Sequence, residues 1–139
     1  MDTVKRFEDL IVWQKSRKLA QEIFILSQVN KIKRDFGLRQ QILNSSGSIP
    51  DNIAEGFERD GNKESKQFLS IAKGSAGELR SQLYRILDRT ILTKDARQKL
   101  HYLVIEVSKM LSSMISNLNK NIYVGRSIKL DTCPLILEP

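Results

Sequence analysis

Three kinds of side chain in this sequence could take part in catalysis: paired carboxylates, a histidine and a thiol. Glu55 and Glu78 could form a carboxylate pair for acid/base or metal chemistry, but helical carboxylate sites pair Glu with a His three residues on, which both lack. His101 lies on the flank of an amphipathic pattern, which predicts a surface histidine without a nucleophile to orient. Cys133 has no CxxC partner and is predicted to be a free thiol. We therefore predict no catalytic residue, no metal site, no cofactor and no enzymatic activity.

Basic residues offer a different chemistry, the binding of a polyanion. The 139-residue chain carries 23 Lys plus Arg against 16 Asp plus Glu, a formal net charge of +7. Residues 1–60 hold 10 basic and 9 acidic groups, whereas residues 61–139 hold 13 and 7, so the excess lies in the second half. Lys66, Lys73 and Arg80 recur every seven residues along one predicted helix, and Tyr84 continues the row.

Such a row could follow a phosphate backbone while the tyrosine offers a face for stacking a base. The partner would then be RNA or DNA. Two other interpretations stay open: a solvated basic edge that keeps the protein soluble, and a face that docks an acidic protein partner. The candidate nucleic-acid-binding residues are Lys63, Lys66, Lys73, Arg80, Tyr84, Arg85 and Arg89.

Four amphipathic helices must position these residues. Apolar residues recur at helical spacing over residues 8–29, 36–59, 63–91 and 93–120, with Asn62 and Thr93 as predicted caps of the last two. The connections are short, and short connections make consecutive helices antiparallel. The predicted fold class is all-α, an antiparallel up-down-up-down four-helix bundle. It forms one domain over residues 1–120, with a short C-terminal tail over 121–139 that is loose or packs on a neighbouring subunit.

Pro50 interrupts the second predicted helix. A proline removes one amide donor and pushes against the carbonyl four residues earlier, at Ser46. We therefore expect a kink over residues 45–48, or two short helices that meet at a turn. Residues 31–35, before this helix, are predicted to form a short charged connection.

Small residues gather in the third predicted helix, where each interior Gly costs about 1 kcal/mol relative to Ala. Close approach of the second helix at Ala54 and Gly56 would offset that cost. The same approach would leave room for a polar seam between the two helices. The small residues are Ala72, Gly74, Ser75, Ala76 and Gly77, and the predicted seam consists of Asn52, Glu55, Ser75 and Glu78.

Three isoleucines, Ile11, Ile25 and Ile105, face away from the predicted core. A closed ring of subunits needs two different apolar patches on each subunit, which the first and fourth helices would supply. We therefore predict an oligomer interface there, and isolated exposed isoleucines are the alternative. No stretch approaches the ~20 apolar residues that cross a bilayer, and the charged first residues do not resemble a signal peptide. We expect a soluble protein of the cytoplasm with no membrane partner.

Three segments go beyond a generic bundle. They are Phe7–Lys15 (FEDLIVWQK), Ser48–Arg59 (SIPDNIAEGFER) and Ile71–Leu79 (IAKGSAGEL). Together they resemble the four-helix-bundle proteins encoded in intervening sequences of bacterial 23S rRNA genes, over roughly residues 7–118. The resemblance implies a small, cytoplasmic, bacterial bundle that assembles as a homopentamer and has no enzymatic activity. A related group, the accessory proteins of diversity-generating retroelements, shares the pentameric bundle and binds nucleic acid and a reverse transcriptase.

Overall fold

The computed structural model describes residues 4–89 and 91–120, together with the backbone of 123–124 and 127–128. A single 3-10 turn, Phe7–Asp9, precedes the first α-helix. Two-residue strands, β1 (Tyr123–Val124) and β2 (Ser127–Ile128), pair antiparallel, and the rest of the predicted tail lies outside the described residues. All other regular structure in the described part of the chain is α-helical: α1 (Ile11–Ser27), α2 (Asn30–Lys33), α3 (Phe36–Glu58), α4 (Asn62–Asp88) and α5 (Lys94–Asn119).

The four long helices share one hydrophobic core. α1 packs against α3 and α5, and α4 packs against the same two helices. Burial of their aliphatic side chains supplies the main stabilising free energy of the fold. None of the described helices is both long enough and apolar enough to cross a membrane. The largest fully buried side chains are Leu10, Leu19, Ile23, Ile32, Ile42, Ile49, Ile53, Leu79, Leu83, Ile86, Met110 and Leu111.

The start of α5 agrees with the sequence, but the start of α4 does not. The Thr93 hydroxyl accepts a hydrogen bond from the Ala96 amide at 3.2 Å, so the predicted cap is confirmed. Asn62 is instead the first residue of α4, and Gly61 is the N-cap without a side-chain hydrogen bond. The prediction that Asn62 caps α4 is therefore wrong, and α4 begins without a side-chain cap.

The charged connection between the first two long helices contains a helical turn of its own, α2. Ile32 is fully buried there and anchors the turn to the core. Asp35 then caps α3, because its carboxylate accepts a hydrogen bond from the Leu38 amide at 3.2 Å. Residues 31–35 thus lie in a short charged connection between α1 and α3, as the sequence predicts, and α2 adds a helical turn to it.

Helix α3 runs continuously through Pro50, so the alternative of two short helices is wrong. Side-chain hydrogen bonds add to the backbone pattern around the proline. The Ser46 hydroxyl donates to the Leu43 carbonyl at 3.3 Å, and the Asn52 amide donates to the Ser48 carbonyl at 2.8 Å. Both bonds go to carbonyls other than that of Ser46, so they add contacts around Pro50 without replacing the donor that the proline removes.

Close approach of α3 and α4 depends on Gly56. A Cβ atom at this position would lie 3.1 Å from the Ser65 carbonyl oxygen and 3.2 Å from the Phe68 Cβ. A Cβ atom at Gly74 or Gly77 would meet nothing within 4 Å. The prediction that small residues allow the helices to approach therefore holds for Gly56, and it is wrong for Gly74 and Gly77, which face open space.

This contrast predicts opposite effects for two alanine substitutions. Gly74→Ala should raise the free energy of unfolding by about 0.5–1 kcal/mol, because alanine is the better helix former and the site is open. Gly56→Ala should lower it by about 1 kcal/mol or more, because the backbone oxygen and the Cβ in its path cannot rotate away. Urea unfolding followed by circular dichroism measures both. Equal shifts in the same direction would contradict the packing described for Gly56.

Candidate functional site

The predicted basic residues lie on the exposed surface of α4. Lys66, Lys73 and Arg80, here called the cationic row, are all exposed, as is Lys63 at the start of the helix. No ion pair among residues 4–89 and 91–120 includes any of these four side chains. Tyr84, one turn beyond the row, contacts α5. The row therefore presents uncompensated positive charge along the α5 side of α4.

Tyr84 belongs to a cluster between α4 and α5 that also contains Arg97 and His101, here called the Tyr84 cluster. The Tyr84 and His101 rings meet edge to face with their centroids 4.5 Å apart. The Arg97 guanidinium carbon lies 5.1 Å from the Tyr84 ring centroid, and Arg97 Nη1 lies 2.6 Å from His101 Nδ1. Tyr84 nevertheless keeps 50% of its surface exposed. The cluster thus fixes the orientation of an aromatic ring that solvent can still reach.

His101 is a buried side chain, with 6% of its surface exposed, so the prediction of a surface histidine is wrong. Burial lowers the pKa of His101 below its usual value of 6.5, and the positive charges of Arg97 and Arg80 lower it further. A guanidinium can only donate, so His101 Nδ1 accepts the hydrogen bond from Arg97 and the proton of the neutral ring lies on Nε2. The neutral imidazole therefore positions Arg97.

Two predicted contact residues have partners on the opposite side of α4. Arg85 Nη1 donates to Gln41 Oε1 of α3 at 2.6 Å. Arg89 forms an ion pair with Asp35, the residue that caps α3. Arg85 and Arg89 thus connect the last turns of α4 to the first turns of α3, and they do not continue the cationic row.

The residues that make polar contacts between α3 and α4 are not the same set as the residues predicted for the polar seam. The Ser48 and Ser75 hydroxyls lie 2.8 Å apart, and Asn52 Nδ2 donates to Ser48 Oγ at 2.9 Å. One turn away, the buried Ser45 hydroxyl donates to Gln82 Oε1 at 2.7 Å. Hydroxyl and amide groups thus form this seam, with Asn52 and Ser75 as the two members in common with the prediction.

The two glutamates of the predicted seam lie elsewhere. Glu55 is exposed and accepts a hydrogen bond from Arg59 at 2.8 Å, four residues along α3. Glu78 is exposed on α4. The prediction that they meet across the seam is therefore wrong, because α3 and α4 direct both carboxylates to solvent. Among the described residues no group of three or more His, Cys, Asp or Glu could hold a metal ion, and Cys133 lies outside them.

The three isoleucines predicted to face outward have different surroundings. Ile25 is 55% exposed, and its neighbours Phe24 and Val29 are exposed as well. Ile11 is half-buried and packs against the core, and Ile105 is half-buried on α5. The clearest apolar surface is therefore at the end of α1. It continues into a groove between α1 and α5 that includes Ile25, Leu26, Val29, Leu92, Leu100 and Leu103.

Sequence reasoning missed Arg97 and the role of His101. Both side chains lie on the α4 side of α5, four residues apart and therefore on one helix face. The packing of α4 against α5 brings this face opposite Tyr84. The spacing was visible in the sequence, but the register between the two helices was not.

The arrangement defines a class of protein: a helical protein whose longest helix carries a basic, aromatic-containing face. The family described as 23S rRNA-intervening sequence protein matches residues 8–113, and the chain belongs to this family. It is also similar to the crystal structure of a protein with unknown function from the S23 ribosomal protein family of Bacteroides thetaiotaomicron VPI-5482. That similarity has 25% sequence identity, a TM-score of 0.71, and coverage of 76% of this chain and 98% of the other. No curated protein matches the sequence.

The lowered pKa of His101 predicts a specific pH dependence of stability. The unfolded chain binds a proton at His101 near pH 6.5 and the folded chain only at lower pH, so the free energy of unfolding should fall as the pH falls through about 6.5. His101→Gln should flatten the change between pH 8 and 5.5, because His101 is the single histidine. Urea unfolding at several pH values measures the free energy of unfolding of the unaltered protein and of the variant. Equal pH dependence in the two would contradict a lowered pKa of His101.

Proposed function

We propose that this protein is a non-enzymatic, antiparallel up-down four-helix bundle that assembles as a homo-oligomeric ring and binds nucleic acid. The binding residues in this proposal are Lys63, Lys66, Lys73, Arg80 and Tyr84, and the ring contains five subunits. Arg85 and Arg89 are left out because their side chains engage α3. The proposed location is the cytoplasm, in keeping with the single cysteine of the sequence.

The cationic row is the observation that carries the nucleic-acid proposal. Its three charges repeat at seven-residue intervals along α4, and none belongs to an ion pair in the described part of the chain. Unpaired cations that neutralise phosphates release condensed counterions, which is the main source of affinity for a polyanion. Contacts of this kind position a nucleic acid without reading its sequence.

The helix contacts support the bundle topology in this proposal. Ser45 contacts Gln82 while Gly56 approaches Ser65, so increasing numbers in α3 meet decreasing numbers in α4. Lys15 of α1 pairs with Glu106 of α5 at 2.9 Å. Together with the packing of each long helix against two others, these contacts fit four helices in a closed cycle.

The apolar end of α1 supports the proposed assembly. Phe24, Ile25 and Val29 are large apolar residues exposed within one short stretch of chain. Clustered exposed apolar residues are typical of surfaces that contact another protein. A head-to-tail ring requires such a patch to meet a different one on the next subunit, for which Ile11 and Ile105 are the proposed residues.

Reversal of the cationic row tests the nucleic-acid proposal. The triple variant Lys66→Glu, Lys73→Glu, Arg80→Glu should abolish measurable binding of RNA and duplex DNA at low salt, because repulsion replaces three phosphate contacts. For the unaltered protein, each phosphate contact should make the slope of log affinity against log salt more negative by about 0.7–0.9. Fluorescence anisotropy at two salt concentrations measures both quantities.

The matched control for that experiment is Lys31→Glu, Lys33→Glu, Lys109→Glu. It makes the same change of charge at three exposed positions away from α4. This control should keep most of the affinity. Equal losses in the two triple variants, or binding unaltered by reversal of the row, would contradict a defined interface on α4.

An acidic protein partner is the alternative use of the same basic face. Pull-down from a nuclease-treated lysate separates the two functions, because a protein partner survives the nuclease and a nucleic acid does not. Capture that depends on the cationic row and persists after nuclease treatment would favour the protein partner.

Sedimentation equilibrium tests the assembly. The unaltered protein should sediment as a closed oligomer, and the proposed ring has five times the 16.0 kDa mass of one chain. Ile25→Glu should shift the mass toward that of one chain, because it places a charge within the apolar patch. Gln40→Glu, at an exposed position on α3, is the control and should leave the mass unchanged. A monomeric mass for the unaltered protein would overturn the ring.

A further inference from the structure

Arg97 carries a charge that nothing in the described chain neutralises. Its guanidinium donates to the neutral imidazole of His101 and lies over the Tyr84 ring, and no ion pair among the described residues includes it. Its Nε atom is buried and has no hydrogen-bond partner there. An unpaired buried donor on a charged group is costly unless an acceptor reaches it or lies beside it. The guanidinium therefore has no counter-ion in the described part of the chain, and an anion bound beside it would supply one.

Arg80 adds a second positive charge at the same place. Arg80 lies four residues before Tyr84 and therefore on the same face of α4, and its charge, like that of Arg97, lowers the pKa of His101. Arg80 is exposed and also belongs to the cationic row. Two guanidinium groups beside a neutral imidazole offer the positive charge and the N–H donors that a phosphate prefers.

Tyr84 supplies the other half of the site. Contacts with Arg97 and His101 fix its ring, and half of its surface is exposed. Aromatic rings beside cations bind nucleic acids by stacking on bases that are not paired. Bases within a duplex stack on one another, so a duplex could bind to the two arginines but not stack a base on Tyr84.

We propose that Arg80, Arg97 and Tyr84 form a site for one unpaired nucleotide, with the phosphate on the two arginines and the base on Tyr84. His101 is a positioning residue, because it accepts the Arg97 hydrogen bond. The inference rests on the proposed function, since it names the kind of nucleic acid that α4 binds. The site makes the protein bind a single strand in preference to a duplex of equal length.

Fluorescence anisotropy with a single-stranded oligonucleotide and a duplex of the same length tests the preference. Tyr84→Leu should weaken binding of the single strand by about 5- to 150-fold, the range that loss of one base stack produces, and change duplex binding by less than about twofold. Tyr84→Phe should keep the affinity, because it retains the ring. Arg97→Gln should weaken single-strand binding, and Lys109→Gln, which removes one exposed charge elsewhere on α5, should not.

The single histidine provides a second readout that does not depend on affinity alone. A phosphate on Arg80 and Arg97 would offset their repulsion of the imidazolium, so the pKa of His101 should rise when the site is filled. The imidazole proton signal in an NMR pH titration reports this directly. Separate titrations with the oligonucleotide, a mononucleotide and inorganic phosphate distinguish a nucleotide site from a simple anion site. The nucleotide ligands should raise the pKa of His101 at concentrations where inorganic phosphate does not.

The outcomes separate this inference from the function on which it rests. If neither the single strand nor the duplex binds, the proposed function and the nucleotide site both fail. If both bind equally, or if Tyr84→Leu leaves single-strand binding unchanged, the nucleotide site alone fails. An equal response of His101 to inorganic phosphate would likewise overturn the nucleotide site. A pKa of His101 that oligonucleotide leaves unchanged would place any bound strand elsewhere.

Discussion

The seam between α3 and α4 determines how α4 presents its charges. Aliphatic packing alone lets two helices rotate and slide past one another, because burial is non-directional. The Ser45–Gln82 and Ser48–Ser75 hydrogen bonds select one rotation, and they are directional in a way that the core is not. Gly56 sets how closely the two backbones approach. With its rotation fixed, α4 turns the cationic row toward α5, and this placement brings Tyr84 next to α5.

The sequence predicts the long helices well because the apolar pattern of each helix repeats over many residues. Many apolar residues at helical spacing support each of them, and Thr93 has the side chain that a cap requires. Shorter features depend on contacts that no single segment contains. The turn of α2 forms around the buried Ile32, and Pro50 lies inside a continuous helix with side-chain hydrogen bonds to carbonyls nearby. These outcomes follow from tertiary packing, which overrides local propensity.

The residues of the candidate site show the same contrast between features of a single helix and features that depend on the contact of two helices. The seven-residue spacing of the cationic row is a property of one helix, so the exposure of its members follows from the sequence. The partners of Arg85 and the burial of His101 depend on how two helices meet. A helical projection of one segment does not show how that segment packs against another helix. It therefore predicts Arg85 on the basic face and His101 on the surface. The glycines differ for the same reason: Gly56 faces a helix, whereas Gly77 faces open space.

The two ends of α4 are held very differently. Arg85 and Arg89 attach its final turns to α3, whereas its first turn has Gly61 as an N-cap without a side-chain hydrogen bond. In that turn Lys63 opposes the helix dipole while Glu64 favours it, and Glu64 pairs with Arg59 at 3.7 Å. Because that ion pair is exposed and the first turn has no side-chain cap, we expect amide hydrogens near Asn62 to exchange with solvent sooner than those near Asp88. Local opening of α4 would then begin at its first turn and leave in place the last turns, which Arg85 and Arg89 attach to α3.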